Sequence, residues 1–423
     1  MRFKLLVLLA FATFGLQAQE NTDDSAINPE YRAEREKIND LVHTKLKVSF
    51  DFGKQHLLGE AWITVKPHFY DVDQLELDAK AMLIHKVTKD GKDLKYEYDG
   101  NLLRIDLDKT YTRDDSYTIY IDYTARPEEV TQEGSAAITS AKGLYFVDPD
   151  ESNPNKPTQV WTQGETEASS CWFPTIDSPN QKTSQEIYMT VPTKYVTLSN
   201  GLLKEQKDNA DGTRTDYWKF DQQHAPYLFF MGVGEYSIIQ DKWRDLDVDY
   251  YVEKEYEPYA RGIFGLTPEM IEFFSEYTGL DYMWPKYAQI VGRDYVSGAM
   301  ENTTAVIHGE MAYQTGSELV DENTWESVIA HELFHHWFGD LVTTESWSNL
   351  TVNESFANYS EYLWFEHKYG RDRADAHRQK EVEGYMTPEN ELKDLVRFHY
   401  NSREDMFDAV SYNKGGTILH MLR

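Results

Sequence analysis

From residue 46 the chain alternates apolar and polar positions. In Leu46-Lys47-Val48-Ser49-Phe50-Asp51-Phe52 each kind of side chain falls on its own face of an extended strand. Ala61 to Val65 and Tyr117 to Tyr123 repeat the pattern, with turn pairs at Asp90-Gly91 and Asp99-Gly100. Such spacing predicts an antiparallel β-sandwich that ends near Gly234-Glu235-Tyr236, after the apolar run Tyr227-Leu228-Phe229-Phe230-Met231. Leu246 to Val252 reads as a further strand, and helical periods dominate from Pro268 onward. The expected organisation is a β-sandwich domain over residues 20–240 followed by an α/β domain over residues 241–423. Asn153 to Pro157 is a loop inside the first domain, and no internal repeat or low-complexity segment interrupts either.

The helical half carries the chemistry. In His331-Glu332-Leu333-Phe334-His335 the two imidazoles stand one turn apart on one helix face, so both can grip one metal ion with Glu332 beside its open position. Trp325 to Ala330 leads in without Gly or Pro, and Gly339 offers a stop. Glu354, in Asn353-Glu354-Ser355-Phe356-Ala357, would complete a two-His, one-Glu donor set with a fourth position free. Asp340, Glu345 and Glu361 compete for that role. Asp340 follows His335 too closely to fold back and Glu345 falls in the connecting loop, so Glu354 is favoured, with Glu361 or Asn358 orienting a ligand histidine. Other zinc signatures fail: a metzincin extension needs Gly at Phe338 and His at Leu341, and the inverted H-x-x-E-H order is absent. His336, pointing about 100° away from His335, reads as structural.

With these motifs in place, the chain resembles the zinc aminopeptidases with a thermolysin-like catalytic domain, the aminopeptidase N and leukotriene epoxide hydrolase type. Gly298-Ala299-Met300-Glu301-Asn302 matches the family's exopeptidase motif, His331 to His335 with Glu354 its zinc signature, and Tyr412-Asn413-Lys414-Gly415 its Y-x-K-G segment. Thr162-Gln163-Gly164-Glu165, with Trp172-Phe173-Pro174 and Asp177-Ser178-Pro179, looks like its N-terminal-domain block. The resemblance implies one Zn2+ ion, Glu332 as general base for a zinc-activated water, and Tyr412 as oxyanion donor. It implies that Glu165 and Glu301 hold the substrate's protonated amine, and that Gly298 to Asn302 bind the peptide as an added strand. The partners so implied are peptides with a free N-terminal amine. Two departures stand out: Trp347-Ser348-Asn349-Leu350-Thr351-Val352 replaces a segment that often holds an acid and a Trp, and Ser355 stands where Gly is usual. Neither removes a metal-binding or catalytic group. A related zinc endopeptidase or epoxide hydrolase, and a non-catalytic peptide-binding module, are the alternatives. Comparing free-amine with acetylated peptides separates the first, and metal content the last.

Composition narrows this picture. With 42 basic against 72 acidic residues the formal charge is −30, which repels nucleic acid and anionic membranes. That field would also draw amine termini, although a solvated acidic surface needs no such purpose. Met1 to Gln19 reads as a secretory signal: Arg2 and Lys4 precede an apolar core from Leu5 to Leu16, and Ala18 is a cleavage position. The expected location is therefore periplasmic or secreted, with no membrane span after signal removal; an uncleaved anchor is the rival reading. The single cysteine, Cys171, excludes an intramolecular disulfide and leaves nitrogen and oxygen to bind zinc. Gly416 to Arg423 reads as a helix just begun. By resemblance the chain is the amino-terminal half of a longer protein, its catalytic domain continuing into a helical domain that closes over the cleft.

Overall fold

A computed structural model describes residues 30–132, 134, 135 and 137–423; the predicted signal, residues 1–19, lies outside them. The alternation read in the sequence builds an eight-stranded sheet. Its order is Leu202–Asp208, Thr213–His224, Thr183–Pro192, Asn39–Asp51, His56–Pro67, Tyr117–Ala125, Met82–Lys89 and Lys92–Asp93. Register follows from burial. Ile187, Leu46, Ala61, Ile121 and Val87 face one another across five strands, all buried, and a slip of one residue would turn the whole row to solvent. Every pair in this sheet is antiparallel except Asn39–Asp51 with Thr183–Pro192, which runs parallel. A three-stranded sheet (Val72–Asp78, Leu102–Tyr111, Tyr96–Tyr98) adds Leu75, Leu77, Leu103 and Ile105 to the same core. A four-stranded one, ordered Val196–Ser199, Met231–Gly234, Gln159–Thr162 and Leu144–Val147, carries the core on toward the second half of the chain.

That half opens with a five-stranded mixed sheet ordered Ser237–Trp243, Leu246–Val252, Tyr287–Gly292, Ala305–Gly309 and Ala299–Met300. The strand Tyr287–Gly292 is buried along its whole length, as expected of a strand covered on both faces. Ala288 and Ile290 join the sandwich core, whereas Tyr287 and Val291 pack against helices. The helices are α1 (Ala260–Phe264), α2 (Thr267–Thr278), α3 (Glu326–Phe334), α4 (Thr351–Tyr369), α5 (Arg371–Tyr385), α6 (Pro388–Glu391) and α7 (Gly415–Leu422). A π-helical turn, Val410–Lys414, leads into α7. No helix among the described residues is long and apolar enough to cross a membrane.

Candidate metal centre and cleft

α3 is buried on nearly every side. Ile329, Ala330, Leu333 and Phe334 enter the helical core, and the helical period turns His331, Glu332 and His335 toward a cleft of about 240 Å³. Two hydrogen bonds lock α3 to α4: buried Glu326 accepts from Trp364 Nε1 at 2.6 Å and from Tyr369 Oη at 2.8 Å. α4 then presents Glu354, Asn358 and Glu361 along one face, four and three residues apart.

The donor atoms converge. Glu354 Oε2 lies 3.2 Å from His331 Nε2 and 3.4 Å from His335 Nε2. Ligand atoms bound about 2.0–2.1 Å from a tetrahedral zinc stand roughly 3.3–3.4 Å apart, so the spacing fits that ion. The tautomers fit as well. His331 Nδ1–H donates to Glu361 Oε1 (2.9 Å) and His335 Nδ1–H to the Phe338 carbonyl (3.0 Å), which leaves both Nε2 lone pairs facing the cleft. Gly339 makes the second bond feasible: its φ is +141°, and a Cβ there would crowd His335 Nδ1 at 3.1 Å. Burial opposes charge on His335, but Glu301 and Glu354 outweigh it and raise its pKa to about 10. The same histidines overcome burial and pull Glu354 down to about 2. A field that holds protons so firmly at these nitrogens favours a divalent cation in their place.

Of the other candidate ligands, Glu345 is exposed, and Asp340 is buried 3.6 Å from His336 Nε2, outside the donor set. His336 itself faces away: its Nε2 accepts the Thr304 N–H (2.9 Å) and its Nδ1 donates to the Glu332 carbonyl (3.3 Å). Glu361, not Asn358, meets the ligand histidine; Asn358 donates to Glu381 instead (2.7 Å).

Around the donor set stand three carboxylates. Glu165 Oε1, Glu301 Oε1 and Glu332 Oε2 are buried with no hydrogen-bond partner among the described residues. Burial raises all three, Glu332 to about 8, and the neighbouring acids add to it. A cationic guest would relieve this crowding. The Ala299–Met300 strand is the edge of its sheet, paired on one side with Ala305–Gly309, so Gly298 and Ala299 border the cleft at a sheet edge, the Gly298 carbonyl accepting the Gly309 N–H (2.8 Å). Met300 and Asn302 do not border it. Met300 is buried against Gln163, whose Nε2 lies 3.4 Å from its sulfur, and Asn302 sits behind with its carbonyl accepting the Ala305 N–H (2.8 Å). Tyr412 stacks on His331 with ring centroids 5.9 Å apart; burial and the adjacent Glu354 keep its phenol protonated, and therefore a donor. Ile138, Val328 and Phe407 supply the apolar walls, and no motif marks them in the sequence.

The Tyr412 turn rests directly on α4. A Cβ on Gly415 would fall 1.7 Å from Ser355 Oγ, and one on Gly416 2.2 Å from Asn358 Oδ1. Gly415→Ala is therefore expected to destabilise the fold by about 2 kcal/mol through overpacking; urea titration of the parent and variant checks it.

Fold and site together define a class: a β-sandwich joined to a metallopeptidase-type catalytic domain with a two-His, one-Glu donor set. The profile of the peptidase M1 N-terminal domain matches residues 40–228, and that of the peptidase family M1 domain matches residues 263–423. The chain belongs to peptidase family M1. It is 27% identical over 359 residues to "Probable aminopeptidase 1" of Saccharolobus solfataricus, covering 83% of this chain and 43% of that protein. It is 30% identical over 264 residues to the glutamyl aminopeptidase of Bos taurus, 59% of this chain and 27% of the relative. The chain thus spans less than half the length of these curated relatives. A crystal structure of a mutant M1 zinc metallopeptidase from Deinococcus radiodurans shares the fold, with a TM-score of 0.75 at 18% identity over 92% of this chain and 84% of that one.

Proposed function

We propose that this chain forms the zinc-binding part of an aminopeptidase that removes N-terminal residues from peptides. The observation that carries this reading is the set of three buried, unpartnered carboxylate oxygens, of Glu165, Glu301 and Glu332, beside the converging Glu354 and histidine donors. His331, His335 and Glu354 would hold one Zn2+ ion. When bound, that ion supplies Lewis acidity, polarising a carbonyl and lowering the pKa of water from 15.7 toward about 7.

The protein's own groups do the rest. Glu165 and Glu301 take the substrate ammonium, which fixes the first peptide bond over the donor set and excludes longer N-terminal overhangs. The Gly298-Ala299 edge aligns the peptide as an added strand. Glu332 Oε2 accepts a proton from the attacking water and passes it to the departing amine nitrogen as the C–N bond breaks. Tyr412 Oη donates to the oxygen on which negative charge develops, an interaction worth on the order of 3 kcal/mol. Glu361 holds the His331 ring in its productive tautomer.

Chelation tests this proposal. Dialysis against a strong chelator is expected to abolish release of fluorogenic amines from aminoacyl amides by the whole protein, and one equivalent of Zn2+ to restore it. Full activity in chelator-treated protein shown by metal analysis to lack zinc would refute the reading.

Met1 to Gln19 supports export as part of the same proposal. N-terminal sequencing of the native protein checks it: a mature chain starting near Gln19 or Glu20 is expected, and an intact Met1 would count against export.

A further inference from the structure

Helix α5 looks, from its sequence, like a solvated surface element. Arg371 to Tyr385 buries only Ala374 fully, and its residues are predominantly charged or polar. Yet two of its side chains, one turn apart, reach inward toward the metal centre. His377 Nε2 lies 3.2 Å from Glu361 Oε2, the oxygen that His331 leaves free, and its ring packs edge-on against Phe365 with centroids 5.1 Å apart. Glu381 Oε2 accepts from Asn358 Nδ2 on α4 (2.7 Å) and from Asn413 Nδ2 (2.5 Å), the neighbour of Tyr412 on the π-helical turn.

The Glu361 carboxylate thus meets two imidazoles: Oε1 accepts the His331 Nδ1–H (2.9 Å), while Oε2 stands within ion-pair distance of His377 Nε2 (3.2 Å) at an angle that falls short of a hydrogen bond. A carboxylate touched on one oxygen alone can swing about its side-chain bonds, and a ligand ring that donates to it swings with it; fixing the second oxygen removes that freedom. The brace is itself pinned, because Glu381 ties α5 both to α4 and to the turn that carries Tyr412. Buried Glu361 therefore has a partner at each carboxylate oxygen, one from α3 and one from α5.

We infer that His377 is a positioning residue of the metal centre: through Glu361 it fixes the orientation of His331, so that α5 sets the geometry of a donor set it never touches. The inference rests on His331, His335 and Glu354 being the metal donors, as proposed above. A simpler role, a salt bridge that merely fastens α5 to α4, would affect stability alone.

The test uses the full chain with His377→Leu, which keeps apolar packing on Phe365 but offers Glu361 no polar partner, and His377→Gln, whose amide keeps a polar N–H within reach of it. Zinc affinity is read by competition with a chromophoric chelator, ligand geometry by the visible spectrum of the Co2+-substituted protein, and folding by thermal melting. His377→Leu is expected to weaken zinc binding about 10-fold or more and to shift the Co2+ bands, with His377→Gln close to the parent in both. Parent-like affinity and spectrum in His377→Leu would overturn the inference, as would a glutamine variant that melts like the parent but binds zinc as poorly as the leucine one. Should leucine prevent folding, the glutamine variant decides alone: its spectrum and affinity must match the parent. If the parent chain binds no zinc at all, the metal reading itself falls, and this inference with it.

Discussion

Glu332→Gln is expected to lower kcat on aminoacyl amides by about 10³-fold while zinc stays bound at one equivalent. Glu332 shares the cleft with the metal donors, yet its Oε2 has no partner among the described residues, and the donor set converges without it. Glutamine keeps the shape and volume of the side chain but cannot accept a proton. Burial has already pushed this carboxyl up to about 8, so as a base it is far stronger than an exposed glutamate; a nearby divalent charge would favour its ionised form. KM is expected to move much less than kcat, because ammonium capture is assigned to Glu165 and Glu301. Saturation kinetics with metal analysis of the same sample checks both halves. A variant that keeps kcat within tenfold of the parent, with zinc bound, would remove Glu332 from the proton pathway.

How far such a site can be read from residues alone depends on the range of the interaction that sets it. The His331 and His335 pair was legible because the helical period leaves two residues four apart no choice but a shared face. The row from Leu46 to Ala61 and Ile121 was legible for the same reason with a period of two. By contrast, the parallel pairing of Asn39–Asp51 with Thr183–Pro192 joins strands more than a hundred residues apart. Alternation is identical in parallel and antiparallel neighbours, so nothing local distinguishes them. Glu361 and Asn358 lie on one face of α4 and were equivalent until the position of His331 Nδ1 separated them. Met300 and Asn302 share a motif with Glu301, but the pleat of the edge strand and the turn after it send their side chains behind the cleft. His377 left no trace, since a histidine in so polar a helix reads as a solvated residue. Its contact is made by the fold, not by spacing.

Glu301→Gln is expected to cost about 3 kcal/mol of transition-state stabilisation on free-amine peptides, roughly a 10²-fold loss in kcat/KM, and to leave an N-acetylated peptide at its low parent rate. The asymmetry follows from charge. Glu301 is buried, its Oε1 lacks a partner among the described residues, and Glu301, Glu332 and His335 each offer a ligand atom within 4.8 Å of the others. Burial and Glu354 raise its pKa while the histidines oppose them, so a substrate ammonium would offset the burial of this charge. An amide in its place still accepts a hydrogen bond but carries no charge, and the buried ammonium then keeps its desolvation cost without its counter-ion. Glu165→Gln should act in the same direction. If both carboxylates grip one ammonium, the double variant loses less than the sum of the single losses, because the second removal acts on a contact already broken. Additive losses would mean that the two acids serve different groups of the substrate. Equal losses on free-amine and acetylated peptides would go further: the pair would then hold the protein or the metal centre in place, and selection of the chain's first residue would have to lie elsewhere.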